Sequence, residues 1–194
     1  QVGKTTAINQ ALEILGVPYH YAAADLIGPP HPEWILQQWD LSRRKAQYGK
    51  FAILILDEVQ KISRWPEEVK RLWDEDTRFG NNIKVVILGS SALLVQKGLS
   101  ESLAGRFEIV RASHWSWKEC RDCFKWGVDE YLYFGGYPGA AVLVNDGQRW
   151  SQYIKDSLIE TALSKDVLLL NRVEKPALLR QLFVLACEYS GQIL

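Results

Sequence analysis

The sequence has no methionine, little cysteine and no net charge, and each of these narrows what the chain can be. A gene product begins with methionine, so its absence raises the expectation that the chain starts after its natural beginning. Lysine plus arginine number 23, and so do aspartate plus glutamate. That balance argues against a surface dominated by nucleic-acid or membrane binding, while leaving room for a local basic face. No apolar run reaches about 18 residues, so no membrane-spanning segment is predicted, and no signal peptide is visible. Three cysteines do not form a disulfide framework. Cys120 and Cys123 make a single C-x-x-C with only His114 nearby. Free thiols in a reducing cytoplasm are therefore favoured over zinc or redox chemistry, and His114 reads as a packing residue.

What is present begins at once. Gln1-Val2-Gly3-Lys4-Thr5-Thr6 is the second half of G-x-x-x-x-G-K-[ST]. A phosphate-binding loop needs a glycine where backbone passes close to phosphate. It also needs a lysine to reach the β- and γ-phosphates and a hydroxyl to ligate Mg²⁺. Gly3, Lys4 and Thr5 stand in that order. The loop should lead into a helix, whose N-terminal N–H groups favour an anion. Ala7, Ile8, Ala11, Leu12 and Leu15 recur at helical spacing before Gly16 and Pro18 end the run.

Downstream, Phe51-Ala52-Ile53-Leu54-Ile55-Leu56 is apolar on both faces and ends in Asp57-Glu58. That is the pattern of a buried parallel strand, and an open α/β sheet binds its ligand at the carboxyl ends of such strands. There Asp57 would hold Mg²⁺ and Glu58 would polarise an attacking water. An acidic turn without chemistry is the plainer alternative.

The first part of the chain alternates strand and helix. Strands are predicted at Tyr19 to Ala24, Phe51 to Leu56, Lys84 to Leu88 and Phe107 to Val110. Helices are predicted at Glu33 to Tyr48 and from Trp65-Pro66-Glu67-Glu68 onward, with Val69, Leu72 and Trp73 as the buried stripe. This alternation implies an α/β fold, a parallel sheet sandwiched by helices. From Ser116 the pattern becomes all-helical. Ser116-Trp117-Lys118-Glu119 reads as a capping box. Short helices at Asp129 to Phe134 and Ala140 to Val144 flank a turn at Gly135-Gly136-Tyr137-Pro138-Gly139. Longer helical patterns run over Gln148 to Leu170 and Pro176 to Tyr189.

Together these strings resemble the prokaryotic predicted ATPases of the AAA+ superfamily that carry a C-terminal domain of uncharacterised function with a winged-helix-like start. The residues that carry the match are Gln1-Val2-Gly3-Lys4-Thr5-Thr6, Leu56-Asp57-Glu58-Val59-Gln60-Lys61, Leu88-Gly89-Ser90-Ser91-Ala92, Leu103-Ala104-Gly105-Arg106-Phe107 and Phe134-Gly135-Gly136-Tyr137-Pro138. The resemblance implies a P-loop ATPase domain over 1–115, a helical lid or linker over 116–147 and the start of a winged-helix-like domain over 148–194. It implies Walker A residues Gly3, Lys4, Thr5 and Thr6, with Walker B residues Asp57 and Glu58. Ser90 or Ser91 would sense the γ-phosphate, or cap the helix that follows. Arg106 would neutralise transition-state charge in its own site or a neighbour's, or be a surface arginine in a turn. The first glycine of the loop and the strand feeding it are expected upstream of residue 1, and the chain reads as cut at both ends.

The function expected from these residues is ATP binding and Mg²⁺-dependent hydrolysis in the cytoplasm. Thr5 and Asp57 would hold the metal, and Glu58, Arg106 and Ser90 would serve catalysis. The alternative is a nucleotide-gated switch with little turnover, whose winged-helix-like end binds DNA or protein; Arg172, Lys175 and Arg180 are the basic residues there. A kinase with the same loop is a weaker reading. A homo-oligomer is compatible with the resemblance.

Overall fold

The run Ala52–Asp57 has no polar face, and the first part of the molecule covers both sides of it. The structure, a computed structural model, describes residues 2–26, 31–89, 103–163 and 176–190. In it this run is strand β2 (Ala52–Asp57), buried at every position. It pairs in parallel with β1 (Tyr19–Ala23) on one edge and with β3 (Ile83–Leu88) on the other. Alternate side chains point to opposite faces. Ala52, Leu54 and Leu56 meet α2 (Glu33–Ala46) and α3 (Trp65–Phe79) through Ile35, Trp39, Val69 and Leu72. Ile53 and Ile55 meet α1 (Lys4–Leu15) through Leu12 and Ile8. The result is the expected α/β arrangement of a parallel sheet between helices.

Local chemistry sets the helix ends. Gly16 closes α1 at φ 59° and Gly80 closes α3 at φ 73°, left-handed conformations that glycine adopts without a Cβ penalty. Helix α3 begins with Pro66 in its first turn and Glu67 and Glu68 near its positive end. Asp76 of α3, only 4% exposed, ties it to α2. It accepts from Trp39 Nε1 at 2.6 Å, Arg43 Nε at 2.8 Å and Asn81 Nδ2 at 2.9 Å. A carboxylate this deep needs such a set of donors to offset desolvation.

Helix α1 covers the run predicted from the spacing of Ala7, Ile8, Ala11, Leu12 and Leu15; Leu12 and Ile8 rest on the sheet, while Ala7, Ala11 and Leu15 lie exposed. One expectation changes. Phe107–Val110 is not a strand. Its backbone joins no ladder with β1, β2 or β3, and Phe107, Ile109 and Val110 are 42%, 47% and 89% exposed. Apolar content permits a strand, but only a paired neighbour makes one.

Contacts divide the chain into two compact units, residues 3–112 and residues 113–194 with the first two residues. The described part of the second unit is helical: α4 (Trp117–Phe124), α5 (Val128–Phe134), α6 (Pro138–Ala141), α7 (Gly147–Tyr153) and α8 (Pro176–Glu188). Helix α7 runs on into a π-helical stretch at Ile154–Ile159, a departure from the uniform α-helix predicted there; residues 164–170 of that prediction lie outside the described residues. The capping box is present. Ser116 Oγ accepts from Glu119 N, and Ser116 N donates to Glu119 Oε2 at 2.7 Å. Ser116 Oγ also donates to Glu119 Oε2 at 2.7 Å, and this bond, followed by that from Ser116 N, holds the Glu119 carboxyl below its usual range. Cys120, Trp126 and Ala141 form the buried core with Trp115, Phe124 and Phe134 around them. Cys120 and Cys123 are free, one buried and one exposed; burial, first of all, pushes the Cys120 thiol up. The His114 ring packs 4.5 Å from that of Tyr137. No described helix is long and apolar enough to cross a membrane.

Candidate functional site

Gly3 stands immediately before α1 at φ 87°, ψ 20°. A Cβ built there would meet nothing within 4 Å, so what demands glycine in the chain itself is the left-handed backbone. Lys4, Thr5 and Thr6 then form the first turn of α1. That turn has no side-chain cap and no acidic residue, so its N–H groups and the positive end of the helix dipole keep their attraction for an anion. Lys4 is half-buried, and Thr5 and Thr6 are exposed.

Strand β2 delivers Asp57 to the same place. Thr5 Oγ1 donates to Asp57 Oδ2 at 3.2 Å, so two sequence strings 52 residues apart meet. Asp57 is 9% exposed. A hydroxyl and a carboxylate side by side are the hard oxygen donors that Mg²⁺ prefers, so the residues present fit that ion.

The site contains a residue that sequence reasoning missed. Tyr21 OH donates to the same Oδ2 of Asp57 at 2.5 Å. Register explains how. Tyr21 lies opposite Ile55 and Ala23 opposite Asp57, so Asp57 is the diagonal neighbour of Tyr21 on the same face. Such a diagonal is long for most side chains but within reach of an aromatic one. Burial, then the hydrogen bond and charge of Asp57, push the Tyr21 phenol up to about 12. The phenol therefore stays a donor throughout the neutral range. A period of two along Tyr19–Ala23 was available from the sequence, but the register that places Tyr21 beside Asp57 was not.

Glu58 follows in a left-handed conformation, φ 55°, which glycine adopts far more readily than glutamate and which, in a non-glycine residue, clusters at functional sites. Its N–H donates to Leu88 O at 3.0 Å, which fixes it at the end of β3. Its Oε2 accepts from Gln60 Nε2 at 2.9 Å and lies 3.8 Å from Lys61 Nζ. Lys61 is also paired with Asp25 after β1. The hydrogen bond from Lys61 to Asp25, ahead of the opposing effect of burial, raises the ammonium above its ordinary range.

The structure thus brings Gly3, Lys4, Thr5, Thr6, Asp57 and Glu58 to one end of the sheet. Arg106 is engaged elsewhere: its Nε lies 3.3 Å from Asp74 Oδ1 on α3. Ser90 and Ser91 lie outside the described residues.

Comparison with protein families gives two matches. A family model described as an AAA domain matches residues 1–121. A second, described as a domain of unknown function, matches residues 125–194. No curated protein matches the chain.

Proposed function

The chain belongs to the AAA domain family, and from that membership we propose that it binds ATP and hydrolyses it with Mg²⁺. The observation that carries the proposal is the hydrogen bond from Thr5 to Asp57, which joins the two halves of a nucleotide site. Lys4 and the first-turn N–H groups of α1 grip the β- and γ-phosphates. Thr5 and Asp57 supply oxygen ligands to the metal. Mg²⁺, when bound, neutralises charge on the transferring phosphoryl group. Glu58 takes the proton of the attacking water. Ser90 or Ser91 senses the γ-phosphate. Arg106 serves transition-state charge, here or in a neighbouring copy of a homo-oligomer. Its exposed pairing with Asp74 costs at most about 1 kcal/mol to release.

The assignment includes a division of the chain into an ATPase domain over 1–115, a helical linker over 116–147 and a winged-helix-like start over 148–194. The change of family between residues 121 and 125 supports a boundary in that region.

The test is Mg²⁺-ATP binding and turnover by the protein that carries this chain, beside Lys4→Ala and Glu58→Gln. Lys4→Ala is expected to lose binding. Glu58→Gln is expected to bind while turnover falls by about 10²-fold or more. Binding by the unsubstituted protein without turnover above buffer overturns the hydrolysis reading.

A second reading, a nucleotide-gated switch with little turnover, is favoured by the engagement of Glu58 with Gln60 and Lys61. Its partner would be a protein rather than DNA. Arg180 is paired with Glu160, and Leu178, Leu182, Val184 and Leu185 of α8 are exposed. Arg172 and Lys175 lie outside the described residues.

A further inference from the structure

Asp57 receives two hydrogen bonds on one oxygen, from two different elements. Thr5 reaches Oδ2 from α1 at 3.2 Å, and Tyr21 reaches it from β1 at 2.5 Å. The longer bond alone is a weak restraint on a carboxylate, whose terminal torsion is broad. The shorter one comes from a side chain whose ring packs in the cluster of Leu12, Ile53, Ile55 and Leu88, so its hydroxyl is held by the sheet. Convergence on Oδ2 makes the two oxygens of Asp57 inequivalent and sets the plane of the carboxylate.

We propose that Tyr21 is a positioning residue for Mg²⁺, acting through Asp57, so that it sets the magnesium requirement of nucleotide binding without touching nucleotide. The proposal rests on the nucleotide-site reading above. Groups that orient a metal-ligating carboxylate contribute about 10–100-fold to metal affinity or activity when deleted. The competing account is that the tyrosine is a core residue whose hydroxyl has found the nearest acceptor. The two differ in what happens when Asp57 is no longer a carboxylate.

Tyr21→Phe keeps the ring and removes only the hydroxyl. Binding of a fluorescent ATP analogue is measured in excess EDTA and then across a Mg²⁺ titration, with the melting temperature recorded alongside. The expected result is a half-saturating Mg²⁺ concentration raised about 10-fold. Affinity in EDTA is expected to stay within about twofold of the unsubstituted protein. In an Asp57→Asn background, adding Tyr21→Phe is expected to produce no further shift, because the pair acts as one unit. A half-saturation within about twofold of the unsubstituted protein overturns the proposal, and so does an equal shift in the Asp57→Asn background. If the unsubstituted protein binds no nucleotide, the site reading falls and this proposal with it. If it binds but the Mg²⁺ requirement ignores Tyr21, the proposal falls alone.

Discussion

Ser42 and Tyr21 carry the same functional group and show how its surroundings decide its effect. The Tyr21 hydroxyl has a carboxylate acceptor at 2.5 Å. The Ser42 hydroxyl, on a fully buried residue of α2, has no hydrogen-bond partner among the described residues. A buried hydroxyl without a partner costs its desolvation and returns nothing. Ser42→Ala is therefore expected to stabilise the protein by about 1 kcal/mol. In a thermal melt that would appear as a rise of about 2–4 °C. A fall in melting temperature would mean that the hydroxyl is satisfied after all.

At the scale of elements, Gly136 is held by another stretch of backbone rather than by its own turn. Trp115 N donates to Gly136 O at 2.8 Å, and a Cβ on Gly136 would stand 2.2 Å from Trp115 O and 3.0 Å from Trp115 N. Backbone cannot swing aside as a flexible side chain can. Gly136→Ala is expected to destabilise the helical unit by about 2–3 kcal/mol, read from denaturant melts followed by tryptophan fluorescence. Its neighbour Gly135, at φ 72° and ψ −176°, adopts a conformation almost confined to glycine.

The sequence showed that these two glycines form a turn, but not which one is confined by a neighbour. Features written in a few adjacent residues were legible: the start of α1 at Gly3-Lys4, the proline opening of α3 and the Ser116–Glu119 box. So was the pairing of both halves of the site with one sheet end, because a doubly apolar strand ending in carboxylates has few alternatives. Features that depend on pairing were not legible. Phe107–Val110 has strand-like composition but no ladder, and Tyr21 needed the β1–β2 register to be seen beside Asp57. The exposure of Ala7, Ala11 and Leu15 likewise depends on how much sheet lies beneath α1, which helical period does not encode.

For the molecule as a whole, the same tyrosine links the site to alkaline stability. The Tyr21 pKa is raised from 10.0 to about 12. The folded state thus holds a proton that the unfolded chain gives up first. That contribution is complete below pH 10 and is lost as pH rises towards 12. Lys61, raised mainly by Asp25, adds in the same direction. The expected outcome is a urea midpoint that falls steeply above about pH 10, with a shallower fall in Tyr21→Phe.

Strand β2 is covered on both faces and bonded along both edges. Its amides can trade hydrogen for deuterium only when the surrounding sheet opens as a body. Asp57, its last residue, is therefore mounted on the part of this unit that breathes least, while Thr5 approaches from an exposed helical turn. Of the two residues proposed to hold the metal, one is mounted on the sheet interior and the other on an exposed helical turn. Exchange rates should record this as slow amides through β2 and fast ones at the start of α1.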